Sequence, residues 1–254
     1  MVKKKTLTPV AINYPRPPIT EAVIGITFKA APSETVLKDA ATKFRINYDR
    51  YDEEVHVGIG VEFKDGKQPS HKTLPTIRGF KLTSNDATEI ALMRPTGLSI
   101  SQLAPYPGWD DFFDRFMRDW KVWKSVVGFR EIARVGVRYI NRIDIPATAE
   151  VVHHEHFLEI YPYVPDIFGP LTQYAVQTQS IIQDLKLTLT VNSGVVPSPI
   201  LNTMSVLLDF DFARNLDPPQ SDDDLFALLV NIRSKKNEFF EACVTSKSRE
   251  LFKK

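Results

Sequence analysis

The residues best suited to contact a charged partner lie in one short stretch, residues 134–144. Arg134, Arg138 and Arg142 recur every fourth residue and would share one face of a β-strand, because side chains alternate between the two faces. At about 3.3 Å per residue, neighbouring guanidinium groups would stand about 13 Å apart, too far to hold one phosphate but well spaced to line a groove. The pattern predicts either a surface paired with carboxylates or a binding face for an acidic partner or a nucleic-acid backbone.

Two carboxylates, Asp209 and Asp211, flank Phe210 and would emerge on one side of another strand. Carboxylates at this spacing can hold a divalent cation or divide acid and base roles between them. One alternative is therefore a metal-dependent enzyme acting on nucleotides or nucleic acid. Such a transferase would add a third carboxylate and a Gly-Ser helix start upstream, and we find no such element in the sequence. Pairing of both aspartates with the arginines is the simpler interpretation.

Other reactive residues favour structural roles. The cluster formed by His153, His154, Glu155 and His156 has no second group of ligands at metal-site spacing, which favours a surface cluster. Cys243 is in phase with the apolar residues of the closing helix and should be a buried thiol. The phosphate-binding motifs GxxxxGK[ST] and GxGxxG are missing from the sequence, as is the GxSxG nucleophile motif. We therefore predict no cofactor, no metal site and no catalytic residues.

Composition limits the partners further. The chain has 254 residues, 43% of them hydrophobic, and its 32 basic side chains nearly balance 31 acidic ones. No overall field recruits nucleic acid or an anionic membrane, so nucleic-acid binding would need a local patch. No apolar run reaches the length of a membrane span, and the basic, proline-broken start does not read as a signal peptide. We expect a cytoplasmic protein whose partner is most simply another protein, with nucleic acid as a second possibility.

The elements that would position these residues follow from hydrophobic periodicity. Residues 1–20 form a proline-rich arm that includes Arg16. In the first half, 21–128, strands are predicted at 21–29, 55–63, 76–82, 89–93 and 98–103, and helices at 34–47 and 109–127. In the second half, 129–254, strands are predicted at 132–145, 174–179, 181–191 and 204–212, with a short helix near 151–160 and a long helix from Asp222.

The repeated order indicates an internal duplication. Aligning Gly25 with Gly136, an offset of 111 residues, keeps core and solvent positions of the two strands in phase. The predicted fold class is α+β, with a duplicated β-α-β-β-β-α unit forming a continuous curved antiparallel sheet and long helices on one face. By topological analogy, this is a saddle like that of a TATA-binding protein or a pair of helix-grip units. The two halves should make one pseudo-symmetric body.

Several blocks resemble a known family. They are Asn13 to Ile24 (NYPRPPITEAVI), Leu103 to Trp109 (LAPYPGW), Arg138 to Ile143 (RYINRI) and a closing helix with Phe239 and Phe252. Together they span most of the chain and are similar to a family of uncharacterised prokaryotic proteins of about this length, described as sporadically distributed. The resemblance implies no activity, cofactor or catalytic residue. Patchy distribution is typical of mobile or accessory genes, including those for defence against phage.

We therefore expect a non-catalytic binding or interaction protein, with an accessory role in a defence or mobile-element system as an expectation from the resemblance. The candidate contact residues are Arg16, Arg134, Arg138, Arg142, Asp209 and Asp211. Two alternatives stay open, the metal-dependent enzyme and a saddle that binds nucleic acid.

Overall fold

The computed structural model describes residues 14–62, 70–147, 153–169 and 171–253. Within these ranges the strands are β1 (Ile19–Phe28), β2 (Arg50–Glu62), β3 (Ser70–Thr83), β4 (Glu89–Arg94), β5 (Gly97–Leu103), β6 (Ile132–Pro146), β7 (Ala175–Ile182), β8 (Leu187–Val196) and β9 (Thr203–Arg214). The helices are α1 (Glu34–Phe44), α2 (Trp109–Val127), α3 (Asp222–Cys243) and α4 (Ser246–Leu251), with short 3-10 helices at His154–His156, Asp166–Phe168 and Gln183–Leu185.

The described strands follow one hydrogen-bonded order, β2-β3-β4-β5-β1-β6-β9-β8-β7. The pairs β2–β3, β3–β4, β4–β5, β6–β9, β8–β9 and β7–β8 are antiparallel. Outward from β1 the order is β5, β4, β3, β2, and outward from β6 it is β9, β8, β7, so in each half the first strand lies beside the last. The pairing confirms the predicted α+β class with an antiparallel sheet, and the shared strand order agrees with a duplication.

The two halves are not copies of one β-α-β-β-β-α unit, however. The first half has four strands between α1 and α2, because β2 is added at the outer edge. In the second half the predicted helix near 151–160 is wrong over its described part, where only the 3-10 helix His154–His156 forms. Residues 151 and 152 lie outside the described ranges. His154 is buried there against the rings of Tyr161 and Tyr174, a packing role that a longer exposed helix would not give it.

The described chain divides into two compact units. We call them the N-terminal unit, residues 24–103 and 107–134, and the C-terminal unit, residues 14–23, 104–106 and 135–253. The boundaries run through β1 and β6, so each of these strands contributes to both units. The division into halves at residues 128 and 129 stays a prediction.

In the N-terminal unit, α2 occupies the predicted residues and buries its aromatic stripe. Trp123 stacks on Phe28 of β1 at 5.5 Å between ring centroids. Beside this apolar contact lies a buried polar group, in which the Tyr48 hydroxyl donates to Asp119 at 2.6 Å and accepts from Arg115 at 3.1 Å. Asp119 is fully buried, so these bonds supply the pairing that a charge needs inside a protein.

In the C-terminal unit, α3 covers one face of the sheet. Its residues Leu225, Leu229 and Ile232 are fully buried, and Phe239 contacts Phe212 of β9 at 6.2 Å between ring centroids. The end of the proline arm packs near the C-terminal end of α3. Tyr14 donates to Glu241 at 2.8 Å. The part of the arm before Tyr14 lies outside the described residues.

Candidate functional site

Strand β6 alternates as predicted. Val135, Val137, Tyr139, Asn141 and Ile143 are buried, whereas Arg138 is exposed and Arg142 half-buried on the opposite face. Arg134 is half-buried and belongs to the N-terminal unit, while Arg138 and Arg142 belong to the C-terminal unit. The three arginines are therefore divided between units.

Arg138 begins a row of hydrogen bonds that crosses four strands. Its Nε and Nη2 donate to the two carboxylate oxygens of Asp209 at 2.9 and 2.8 Å. Asn192 of β8 also donates to Asp209 at 2.9 Å, and Gln177 of β7 donates to Asn192 at 2.7 Å. We call Arg138, Asp209, Asn192 and Gln177 the polar ladder. It fixes side-chain positions from β6 to the edge strand β7.

Asp209 is the buried member of the polar ladder. Its side chain is 1% exposed, against 48% for Arg138. The hydrogen bonds from Arg138 to Asp209 raise the pKa of the guanidinium above its ordinary value, and the charges of Asp211 and Glu21 act in the same direction. Asp211 lies opposite Arg138 in the register of β6 and β9, and is half-buried. The expectation that carboxylates pair with the arginines is met by Asp209.

Arg142 has a different partner. It donates to both oxygens of Asp144, two residues along the same strand, at 3.0 and 3.2 Å. Ser205 of β9 also donates to Asp144. Arg16 is exposed, and its backbone N–H donates to Phe252 at 3.1 Å, which ties the arm to the end of α4. Arg138 and Arg142 are therefore committed to internal pairs.

This geometry gives the metal-dependent alternative no support. Both Asp209 oxygens already accept hydrogen bonds, so the Asp209–Asp211 pair offers a cation little. In the described ranges no three His, Cys, Asp or Glu side chains are grouped so that they could hold a metal ion. The histidines are occupied by protein contacts, since His153 bonds Glu155 at 2.8 Å and its ring lies 5.4 Å from that of His156.

The edge strand β7 contains none of the candidate residues identified from the sequence. It is the last strand in the order, beside β8 alone, and all but two of its eight residues are exposed. In an antiparallel pair alternate residues bond to the neighbouring strand. Val195 donates to Tyr174, so the register turns Tyr174, Val176, Thr178 and Ser180 toward β8. The backbone N–H and C=O groups of Ala175, Gln177, Gln179 and Ile181 therefore point away from the sheet.

An apolar segment precedes this edge. We call residues 161–168 the aromatic segment, because Tyr163, Ile167 and Phe168 are 87%, 91% and 73% exposed and Tyr161 is also exposed. Ile181, near the end of β7, is 74% exposed. Large exposed apolar side chains are typical of interaction surfaces where they form a contiguous patch. Sequence reasoning could have found this segment from its spacing of aromatic and proline residues.

Comparisons with known proteins identify no family for this chain. No family model matches the chain, and no curated protein matches it. Among solved structures, a TATA-binding protein (TBP) of Methanococcus jannaschii matches 87% of this chain and 99% of its own at 14% identity, with a TM-score of 0.28. A TM-score this low carries no argument about function. In the described residues, no helix is long and apolar enough to cross a membrane.

The polar ladder predicts unequal effects of two arginine substitutions. Arg138→Ala leaves the buried Asp209 carboxylate without its bidentate partner, so we expect a loss of about 1–3 kcal/mol in the free energy of unfolding. Arg142→Ala is the matched control. Asp144 is more exposed and keeps Ser205, so we expect a loss below about 1 kcal/mol. Urea denaturation measures both, and equal losses would contradict the central role of Asp209.

Proposed function

We propose that this protein is a non-catalytic binding protein that docks an extended segment of a protein partner as an additional strand on β7. The observation that carries the proposal is the exposed, uncharged edge of β7 with alternate backbone groups pointing outward. Strand addition of this kind gains affinity from main-chain hydrogen bonds and specificity from alternate side chains.

The composition of β7 supports this role. Proteins usually protect an exposed sheet edge with lysine, proline, a bulge or a short strand, because an open edge pairs with other chains. The eight residues AVQTQSII contain no charged side chain and no proline, and the register with β8 runs without a shift. A regular, unprotected edge is suited to accept a partner strand.

The side chains beside the edge are held in place before binding. Gln177 bonds Asn192 at 2.7 Å, which bonds the buried Asp209. Ordered side chains lose less conformational freedom on association, which favours affinity. The aromatic segment adds large apolar groups of the kind that supply most of the binding energy at protein interfaces.

The charges on the face of β6 and β9 that carries Arg138 favour a protein partner over nucleic acid. Arg138 and Arg142 are each paired with a carboxylate, and Asp211 adds another negative charge. A phosphate backbone is bound by cations that are free to replace its counterions. A nucleic-acid complex would lose affinity steeply with salt, whereas strand addition depends on neutral backbone groups.

The biological setting follows only from the resemblance of the sequence blocks. Sporadically distributed prokaryotic families often serve accessory functions, and we propose such a role here, in a defence or mobile-element system. A binding protein without chemistry of its own fits a component that recruits or recognises another protein.

Proline substitution tests the edge. Gln179→Pro removes one outward N–H and leaves the backbone hydrogen bonds between β7 and β8, because the backbone groups of Gln179 point away from β8. It also removes the side-chain bond from Gln179 to Thr190, and the control below removes that bond too. Peptides selected from a random display library on the wild-type protein serve as the probe. We expect selected peptides to be β-strand formers and Gln179→Pro to weaken their binding by about tenfold or more, the effect of one or two lost hydrogen bonds.

Gln179→Thr is the control, since it changes the side chain and keeps the N–H. It should retain most of the affinity, and thermal melts should show both variants folded. Peptides that bind Gln179→Pro as tightly as wild type would contradict strand addition. Binding that a second copy of this chain competes away would show self-pairing of the edge in place of a separate partner.

A further inference from the structure

The polar ladder has a fixed donor–acceptor direction. Asp209 is a buried carboxylate whose two oxygens both accept from Arg138, so its side chain has acceptors to offer and no donor. Asn192 therefore meets Asp209 with its Nδ2 nitrogen, which donates at 2.9 Å. A side-chain amide has donors at one end and an acceptor at the other, so fixing one end fixes the other.

The direction continues from Asn192 to the edge strand. Because its nitrogen is bonded to Asp209, Asn192 has its Oδ1 oxygen toward β7, where it accepts from Nε2 of Gln177 at 2.7 Å. The Gln177 amide cannot turn around without placing its oxygen against the oxygen of Asn192. A buried charge two strands away thus decides which end of the Gln177 amide faces β8.

The carbonyl oxygen of Gln177 is the outer end of the polar ladder. Gln177 is exposed on the edge strand, and within the described ranges its Oε1 oxygen accepts no hydrogen bond from the protein. An added antiparallel strand would place one residue directly opposite Gln177, with its side chain on the same face and the two Cβ atoms about 4.5–5.5 Å apart. The side chain of that residue would meet an acceptor.

Gln179, two residues along β7, provides an internal comparison. It lies on the same face of the strand, and its Nε2 donates to the Thr190 hydroxyl at 3.4 Å. A hydroxyl both donates and accepts, so Thr190 does not fix the direction of the Gln179 amide. The Gln179 amide can therefore turn to meet either a donor or an acceptor.

We propose that the partner strand carries a hydrogen-bond donor side chain opposite Gln177, an amide, hydroxyl or ammonium, and that Asp and Glu are disfavoured at that position. This inference rests on the proposed strand addition at β7. A carboxylate there would lose hydration and meet an acceptor in place of a donor. The charge of Arg138 does not offset this loss, because four strand spacings of about 4.8 Å separate Arg138 from the added strand, beyond the range of screened charges.

Paired peptides test the donor preference. Peptides selected from a random display library on the wild-type protein serve as the probe, and NMR contacts with the Gln177 side chain identify the peptide residue opposite. With Glu in place of Gln at that position, we expect binding about tenfold weaker or more, because one hydrogen bond is lost and a carboxylate is left unpaired. The same exchange opposite Gln179 is the matched control for charge and should weaken binding less.

Two variants assign the preference to the polar ladder. Gln177→Val removes the outward oxygen and keeps a strand-forming residue, and Asn192→Ala frees the Gln177 amide to turn while Asp209 keeps Arg138. In both variants the ratio of Gln-peptide to Glu-peptide affinity opposite residue 177 should fall to the ratio found opposite Gln179. Gln179→Val is the matched control and should keep the wild-type ratio at residue 177. Thermal melts check that each variant is folded.

The outcomes separate this inference from strand addition itself. Equal binding of the Gln and Glu peptides, with the outward amides of β7 protected from hydrogen exchange, would overturn the donor preference and leave strand addition standing. A selection without binders, or binders that leave those amides unprotected, would overturn both. A ratio that stays at the wild-type value in folded Gln177→Val would overturn the role of the polar ladder.

Discussion

The alternation of side chains along β6 is the constraint on which the polar ladder and the packing of α3 against the sheet depend. Tyr139 is buried beneath α3, while Arg138, one residue earlier, faces away and holds Asp209. A shift of one residue would exchange these faces and bury the arginines, so the apolar residues fix the register. The same register places Lys236 over Tyr139 on one side and starts the polar ladder on the other.

The polar ladder explains why the predicted arginines are poor candidates for direct contacts. Arg138 is needed to balance a carboxylate that is 1% exposed, and Arg142 is paired within its own strand. Both arginines are paired with carboxylates of the same unit. Asp209 also accepts from Asn192, which accepts from Gln177, so the pairing helps to position a side chain of β7. In the C-terminal unit, the outward backbone groups of the edge strand β7 have unused bonding capacity and need a partner strand or water.

Much of the fold was readable from periodicity. The helix at Trp109–Val127 and the alternation of β6 follow from apolar spacing that a single segment contains. Two features were not readable in that way. The pairing of Arg138 with Asp209, rather than with Asp211 opposite, depends on side-chain direction across the pair. The exposure of β7 depends on its place in the strand order, which its own residues do not encode.

Residue-resolved amide hydrogen exchange on β7, with and without a selected peptide, tests strand addition most directly. In the free protein, Thr178 and Ser180 should be protected by their bonds to β8, and Gln177 and Gln179 should exchange freely. With the peptide bound, strand addition predicts new protection at Gln177 and Gln179 and little change at Thr178. Binding that leaves both glutamine amides unprotected would contradict it.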